Sequence, residues 1–194
     1  MKFHLSLIAL ISFALFSFTT ISGPDDKAAR ILQSSQKKLE NLNDFTAKFS
    51  LAISNPNTGD RAPLPRQGTL KYAKGKYIIL LKNQEIYCNK AAVWLYMKDM
   101  SEVEIMCYDP DESFKVESIF KIYEQSAKAQ YRGTEVVGGK TCHKIYIAIS
   151  DPNLDYNQAT IWIDANSELP QKVNLKDRKQ TTLSYKFANF KTNV

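Results

Sequence analysis

The feature that most restricts this chain is a two-residue rhythm. From Phe45 to Phe190, short segments alternate apolar and polar side chains and are separated by turn residues. That period places successive side chains on opposite faces of an extended strand, so each segment reads as a β-strand with one buried face. The segments are 45–53, 68–72, 77–81, 85–88, 93–97, 103–108, 131–137, 141–150, 160–163, 171–175 and 181–190. Lys74-Gly75, Gly138-Gly139, and the stretches 164–167 and 177–179 supply turns. Pro56, Gly59, Pro63 and Pro65 make 55–66 a loop. The connections are too short for the crossovers that parallel strands need, so nine or ten strands are expected in an antiparallel meander.

The rhythm changes twice. Ala28, Ile31, Leu32, Leu39 and Leu42 fall on one helical stripe, opened by Asp25 and Asp26 and closed by Asn41, Asn43 and Asp44. Phe114, Val116, Ile119, Phe120 and Tyr123 recur at helical spacing between Asp111 and Ala129. The fold class expected is therefore α+β: a highly curved antiparallel sheet, an unclosed β-barrel, with an N-terminal helix and a helical insert covering its concave face. Two strands, 77–81 and 93–97, are apolar on both faces. Such a strand is either central and packed on both sides or the wall of a cavity.

The first residues read as an address. Lys2 precedes an apolar run from Leu5 to Phe18, and Thr20 and Ser22 are small residues suited to cleavage. That order predicts a secretory signal peptide over 1–22 and a single exported domain over 23–194. The apolar run is short of the roughly 20 residues that span a bilayer. The chain carries 26 Lys+Arg against 20 Asp+Glu, a net charge of +6, with the basic residues scattered. No Lys/Arg block gives the clustered footprint of nucleic-acid binding.

Catalytic patterns are absent. Phosphate-loop, dinucleotide-glycine and nucleophile-elbow motifs do not occur. His143 is the one histidine beyond residue 22, which excludes a multi-histidine zinc site. It follows Cys142 in a strand, so the two side chains point to opposite faces and cannot form a nucleophile–base couple. Cys88 and Cys107 lie two strands apart in a simple meander, roughly 9.5 Å, beyond the reach of a disulfide. Cys88, Cys107 and Cys142 are expected to be buried thiols.

The stretch Leu39–Ile53, the strand pair Gln67–Leu70 and Lys76–Leu80, and the turn-and-strand Tyr87–Tyr96 resemble the periplasmic outer-membrane lipoprotein carriers of the LolA family. The resemblance implies a non-enzymatic, periplasmic, monomeric carrier without cofactor or metal. It would receive acylated lipoprotein cargo from an inner-membrane lipoprotein-releasing transporter, shield the acyl chains in an apolar cavity and pass them to an outer-membrane acceptor. The alternative is a periplasmic lipid- or lipoprotein-sensing regulatory domain of the same fold. Within the implied cavity, Tyr77, Ile79 and Leu81 share a face, Leu70 and Tyr72 align with them, and Trp94 and Tyr96 share another. The lid-side candidates are Ile31, Leu32, Leu39, Phe114, Ile119 and Phe120. Lys74 stands in the basic turn where family members hold the lid with arginine, and is the lid-control candidate. The chain also ends soon after Phe187–Phe190, where family members often continue.

Overall fold

The structure, a computed structural model, describes residues 26–56, 64–108, 129–150, 152 and 155–193. The expected signal peptide and the helical insert with Phe114, Ile119 and Phe120 lie outside the described residues.

The described chain is one helix, α1 (Asp26–Glu40), and eleven strands: β1 (Phe45–Ser54), β2 (Arg66–Ala73), β3 (Lys76–Leu81), β4 (Gln84–Cys88), β5 (Ala92–Met97), β6 (Glu102–Cys107), β7 (Ala129–Val137), β8 (Lys140–Ala148), β9 (Tyr156–Asp164), β10 (Pro170–Asp177) and β11 (Thr182–Thr192). This is one strand more than the upper expectation. All belong to one antiparallel sheet in the order β6-β5-β4-β3-β2-β1-β11-β10-β9-β8-β7. Two meanders, β1–β6 and β7–β11, are thus fused along β1 and β11, and the sheet is unclosed, with β6 and β7 as its edges. The fusion ladder runs from Phe45 opposite Thr192 to Ser54 opposite Thr182. Beyond it, the Asn193 N–H donates to the Asp44 carbonyl at 3.0 Å, and the Asn43 N–H donates to Asn193 Oδ1 at 3.3 Å.

Two hairpins are set by left-handed turn residues. Lys74 and Gly75 have φ of 48° and 82°, and Gly138 and Gly139 have 59° and 78°. Positive φ at both central positions is the turn whose twist matches that of antiparallel strands.

The helix gives the sheet an inside. Ala28, Leu32, Ser35 and Leu39 are buried along one stripe. Ala28 and Leu32 pack with Ile145, Ile147, Ile161 and Val173 of the second meander. Leu39 and Leu42 pack with Phe45, Ala47, Leu70, Tyr77 and Ile79 of the first. We call the face carrying these residues inner and the opposite face outer.

The β9–β10 connection is organised by Asp164, which is 4% exposed. Its carboxylate accepts from Ser167 Oγ at 2.7 Å, the Asn166 N–H at 3.1 Å and Lys140 Nζ at 3.0 Å. Burial opposes ionisation, but these donors outweigh it and hold the carboxyl below its ordinary value of 3.8. The same connection reaches α1, where Ser34 Oγ donates to Glu168.

The three cysteines are free. β5 lies between the strands of Cys88 and Cys107. Cys88 and Cys142 are buried, but Cys107 is exposed, which corrects the expectation that all three are buried. The reason is its position on an edge strand whose six residues are all exposed.

Two outcomes follow from this packing. Asp164→Ala should lower unfolding free energy by about 1–3 kcal/mol, read by urea denaturation at neutral pH. Because the folded carboxyl titrates below its unfolded value, its contribution is complete above about pH 4 and is lost as pH falls through the folded value. The variant should therefore lose its deficit on acidification. A thiol reagent should modify one cysteine rapidly in the native protein, Cys107, and all three after unfolding, as counted by mass spectrometry.

Candidate functional site

A fifteen-residue helix is roughly 22 Å long, whereas eleven strands span roughly 48 Å across the sheet. α1 alone therefore leaves part of the inner face beyond its reach. Register identifies what occupies that part. Tyr72 is opposite Tyr77, Leu70 is opposite Ile79, and Tyr77 is opposite Cys88. Leu70, Tyr77 and Ile79 are buried, at 5%, 3% and 3% exposure. Tyr72 and Leu81 pack against the same cluster but are only half-buried. On the helix, Leu32 and Leu39 are buried and Ile31 is partly buried against the neighbouring cluster.

The structure thus brings Leu39, Leu70, Tyr72, Tyr77, Ile79 and Leu81 together on the inner face. Trp94 and Tyr96 are not part of this group. Trp94 is opposite Tyr87, which is opposite Ile78, and these positions alternate with the inner set, so both aromatic residues project from the outer face. Lys74 is an exposed residue at the tip of the β2–β3 hairpin.

Sequence reasoning missed several inner-face residues. Ile86 pairs with Ile79 and Leu95 pairs with Ile86, so both share the face of Ile79. Both are half-buried, as is Phe49. Propagating the face of Tyr77 from strand to strand would have found them. Aromatic residues also connect the two clusters. Phe45 stacks on Tyr72 at 5.2 Å, Phe190 lies 5.8 Å from Phe45, Phe187 lies 6.0 Å from Phe190, and Tyr185 stacks on Phe187 at 6.5 Å. Burial pushes the Tyr185 phenol up to about 12, so it stays neutral.

Gly68 shapes this surface. It stands opposite both Phe49 and Leu81. A Cβ there would lie 2.6 Å from the Leu80 carbonyl oxygen, 2.8 Å from the Phe49 ring and 2.9 Å from Leu81. Absence of a side chain lets the Phe49 ring close over the strand.

Two clefts flank the first meander. One of about 650 Å³ is bordered by Arg66, Leu81 and Gln84 at one end of β2–β4. The other, of about 530 Å³, wraps the opposite end, with Phe45, Tyr72 and Tyr77 on its inner side and Lys71, Tyr87 and Trp94 on its outer side. Both fall in the range of ligand-binding clefts.

His143 Nδ1 lies 3.3 Å from the Tyr131 hydroxyl. The neighbouring Cys142 is on the other face, and burial, followed by the negative charge of Asp164, pushes its thiol up. Among the described residues, no three His, Cys, Asp or Glu side chains are grouped to hold a metal. No described helix is long and apolar enough to cross a membrane.

Gly68→Ala should cost about 1–3 kcal/mol through overpacking, and should alter the near-ultraviolet signal of the aromatic cluster. Urea denaturation and circular dichroism check both.

The chain belongs to the family described as sporulation protein YdcC-like, whose model matches residues 2–194. No curated protein sequence matches it. Solved structures do. The lipoprotein LppX of Mycobacterium tuberculosis is 13% identical with a TM-score of 0.56, over 86% of this chain and 96% of that one. An uncharacterised conserved protein from Thermus thermophilus is 11% identical with a TM-score of 0.56, over 86% and 88%. A LolA superfamily protein from Nitrosomonas europaea is 9% identical with a TM-score of 0.45, over 86% and 94%. At these identities, LppX and the Thermus protein show the fold of this chain and no more.

Proposed function

We propose that this member of the YdcC-like family is a non-enzymatic lipid-binding carrier, exported after removal of residues 1–22, that shields the acyl chains of lipoproteins between membranes. The observation that carries this reading is the group of half-buried apolar side chains around the first inner-face cluster: Phe49, Tyr72, Leu81 and Ile86. Leu70, Tyr77 and Ile79 are buried residues of that cluster and Leu39 is its helical member, while Leu32 and Ile31 belong to the neighbouring cluster against the second meander.

The physics suits transient cargo. Each CH₂ withdrawn from water contributes about 0.8 kcal/mol, so an acyl chain needs an apolar host in an aqueous compartment. Holding it by burial rather than by directional hydrogen bonds leaves it free to slide out. The shared fold with a lipoprotein, LppX, supports the assignment. In this reading an inner-membrane lipoprotein-releasing transporter loads the protein, an outer-membrane acceptor unloads it, and Lys74 contributes to lid control.

The protein should be expressed with its leader in a bacterial host that has an outer membrane, purified from the periplasm and weighed under native and denaturing conditions. An acylated protein or phospholipid should travel with it. Leu81→Glu combined with Ile86→Glu should abolish that association while the far-ultraviolet spectrum stays unchanged. An empty protein that fails to brighten an apolar fluorescent probe would sink the carrier reading.

A further inference from the structure

We propose that the outer face of the sheet is a docking surface for an anionic lipid bilayer. Lys186 of β11, Lys172 of β10, Trp162 of β9 and Lys144 of β8 stand directly opposite one another in a single row across that face. Lys172 Nζ lies 4.3 Å from the centre of the Trp162 ring, and Lys144 Nζ lies 5.2 Å from it on the same side chain. Like charges directly opposite on neighbouring strands are unfavourable. Burial, followed by the charge of Lys186, accordingly pulls the Lys172 ammonium below its usual range.

The carboxylates on this face are already engaged. Glu135 pairs with Lys144 at 3.0 Å, Glu85 pairs with Lys98 at 2.8 Å, and the buried Asp164 pairs with Lys140 at 3.0 Å. Neither Lys172 nor Lys186 has an ion-pair partner among the described residues. The same face carries exposed Lys48 on β1 and Lys71 on β2. From Lys71 to Lys144 the field crosses five strand spacings, roughly 24 Å. It is a broad spread of charge rather than a pocket.

Beyond β2 the outer face is mainly apolar, with Glu85, paired to Lys98, in the row of Tyr96. Ile78, Tyr87, Trp94 and Ile105 form one register row, and Tyr96 and Val103 are neighbours in the next. Ile105 is 66% exposed and Val103 is 55% exposed. A bilayer interface takes both halves at once. Trp, Tyr and aliphatic side chains enter the headgroup boundary, while lysines sit against lipid phosphates. A polynucleotide or an acidic protein accounts for the lysines but offers nothing to Val103 and Ile105. Lysines, being point charges on flexible stems, suit a fluid array of phosphates rather than one fixed anion. This surface is distinct from the inner-face site and does not depend on the carrier reading.

The test is co-sedimentation of the purified protein with vesicles of phosphatidylcholine alone and of phosphatidylcholine mixed with phosphatidylglycerol. Binding is expected only to the mixed vesicles, falling as salt rises. Lys172→Gln with Lys186→Gln should weaken it about 30-fold, at roughly 1 kcal/mol per surface lysine. Lys172→Arg with Lys186→Arg should retain it. Thermal melts check that each variant folds; relief of the like-charge pair should leave the glutamine variant no less stable. Brominated phosphatidylglycerol vesicles should quench Trp94 fluorescence, and Trp94→Phe should remove the quenching. Equal binding to neutral vesicles, unchanged binding by the glutamine variant, or binding to polyglutamate with none to anionic vesicles would each overturn the proposal.

Discussion

The inner face depends on the one described helix, α1, lying across the seam of the sheet. α1 buries Ala28 and Leu32 against the second meander, and Leu39 with Leu42 against the first. It therefore spans the seam between the two halves and gives both a common interior. Apolar burial of this kind is the main favourable term for such a sheet. Around the cluster on the first meander Phe49, Tyr72, Leu81 and Ile86 are half-buried. Buried and half-buried residues thus lie side by side in one cluster, with Leu70 and Ile79 buried and Leu81 and Ile86 half-buried.

The seam itself is aromatic. Tyr72, Phe45, Phe190, Phe187 and Tyr185 form a sequence of ring contacts across β2, β1 and β11. Aromatic contacts have preferred geometries and add to simple area burial. They link the two meanders across β1 and β11, while Gly68 lets the Phe49 ring close over β2 without a Cβ in its way. The outer face is built differently. Lys144 and Lys172 flank the Trp162 ring, Lys186 stands opposite Lys172, and Glu135 pairs with Lys144.

The strands were legible because alternation of period two is a direct image of the pleat. Both hairpin turns were legible because Lys74-Gly75 and Gly138-Gly139 sit between alternating segments, and both adopt positive φ. The fusion of β1 to β11 was not legible, since nothing local in Phe45–Ser54 names a partner more than a hundred residues away. The same gap explains the site. Tyr77, Ile79 and Leu81 could be grouped by parity within one strand, but placing Trp94 on their face or the opposite one requires the register through β4. Cys107 was misjudged for a related reason. Its strand has neighbours on one side only, and edge position is a property of the whole sheet rather than of the segment.

The ladder between β1 and β11 also governs the order of events in folding. Each meander is made of hairpins between adjacent segments and can form early and locally. Their union must wait for a closure that joins residues such as Leu51 and Tyr185 across most of the chain. Contacts of such separation are reached only after a large loop has been ordered, which slows the final step. Until then β1 and β11 are both open strand edges, and α1 has only half of its interior to dock on. The half-formed chain therefore keeps both of these edges open for as long as its last strand is missing.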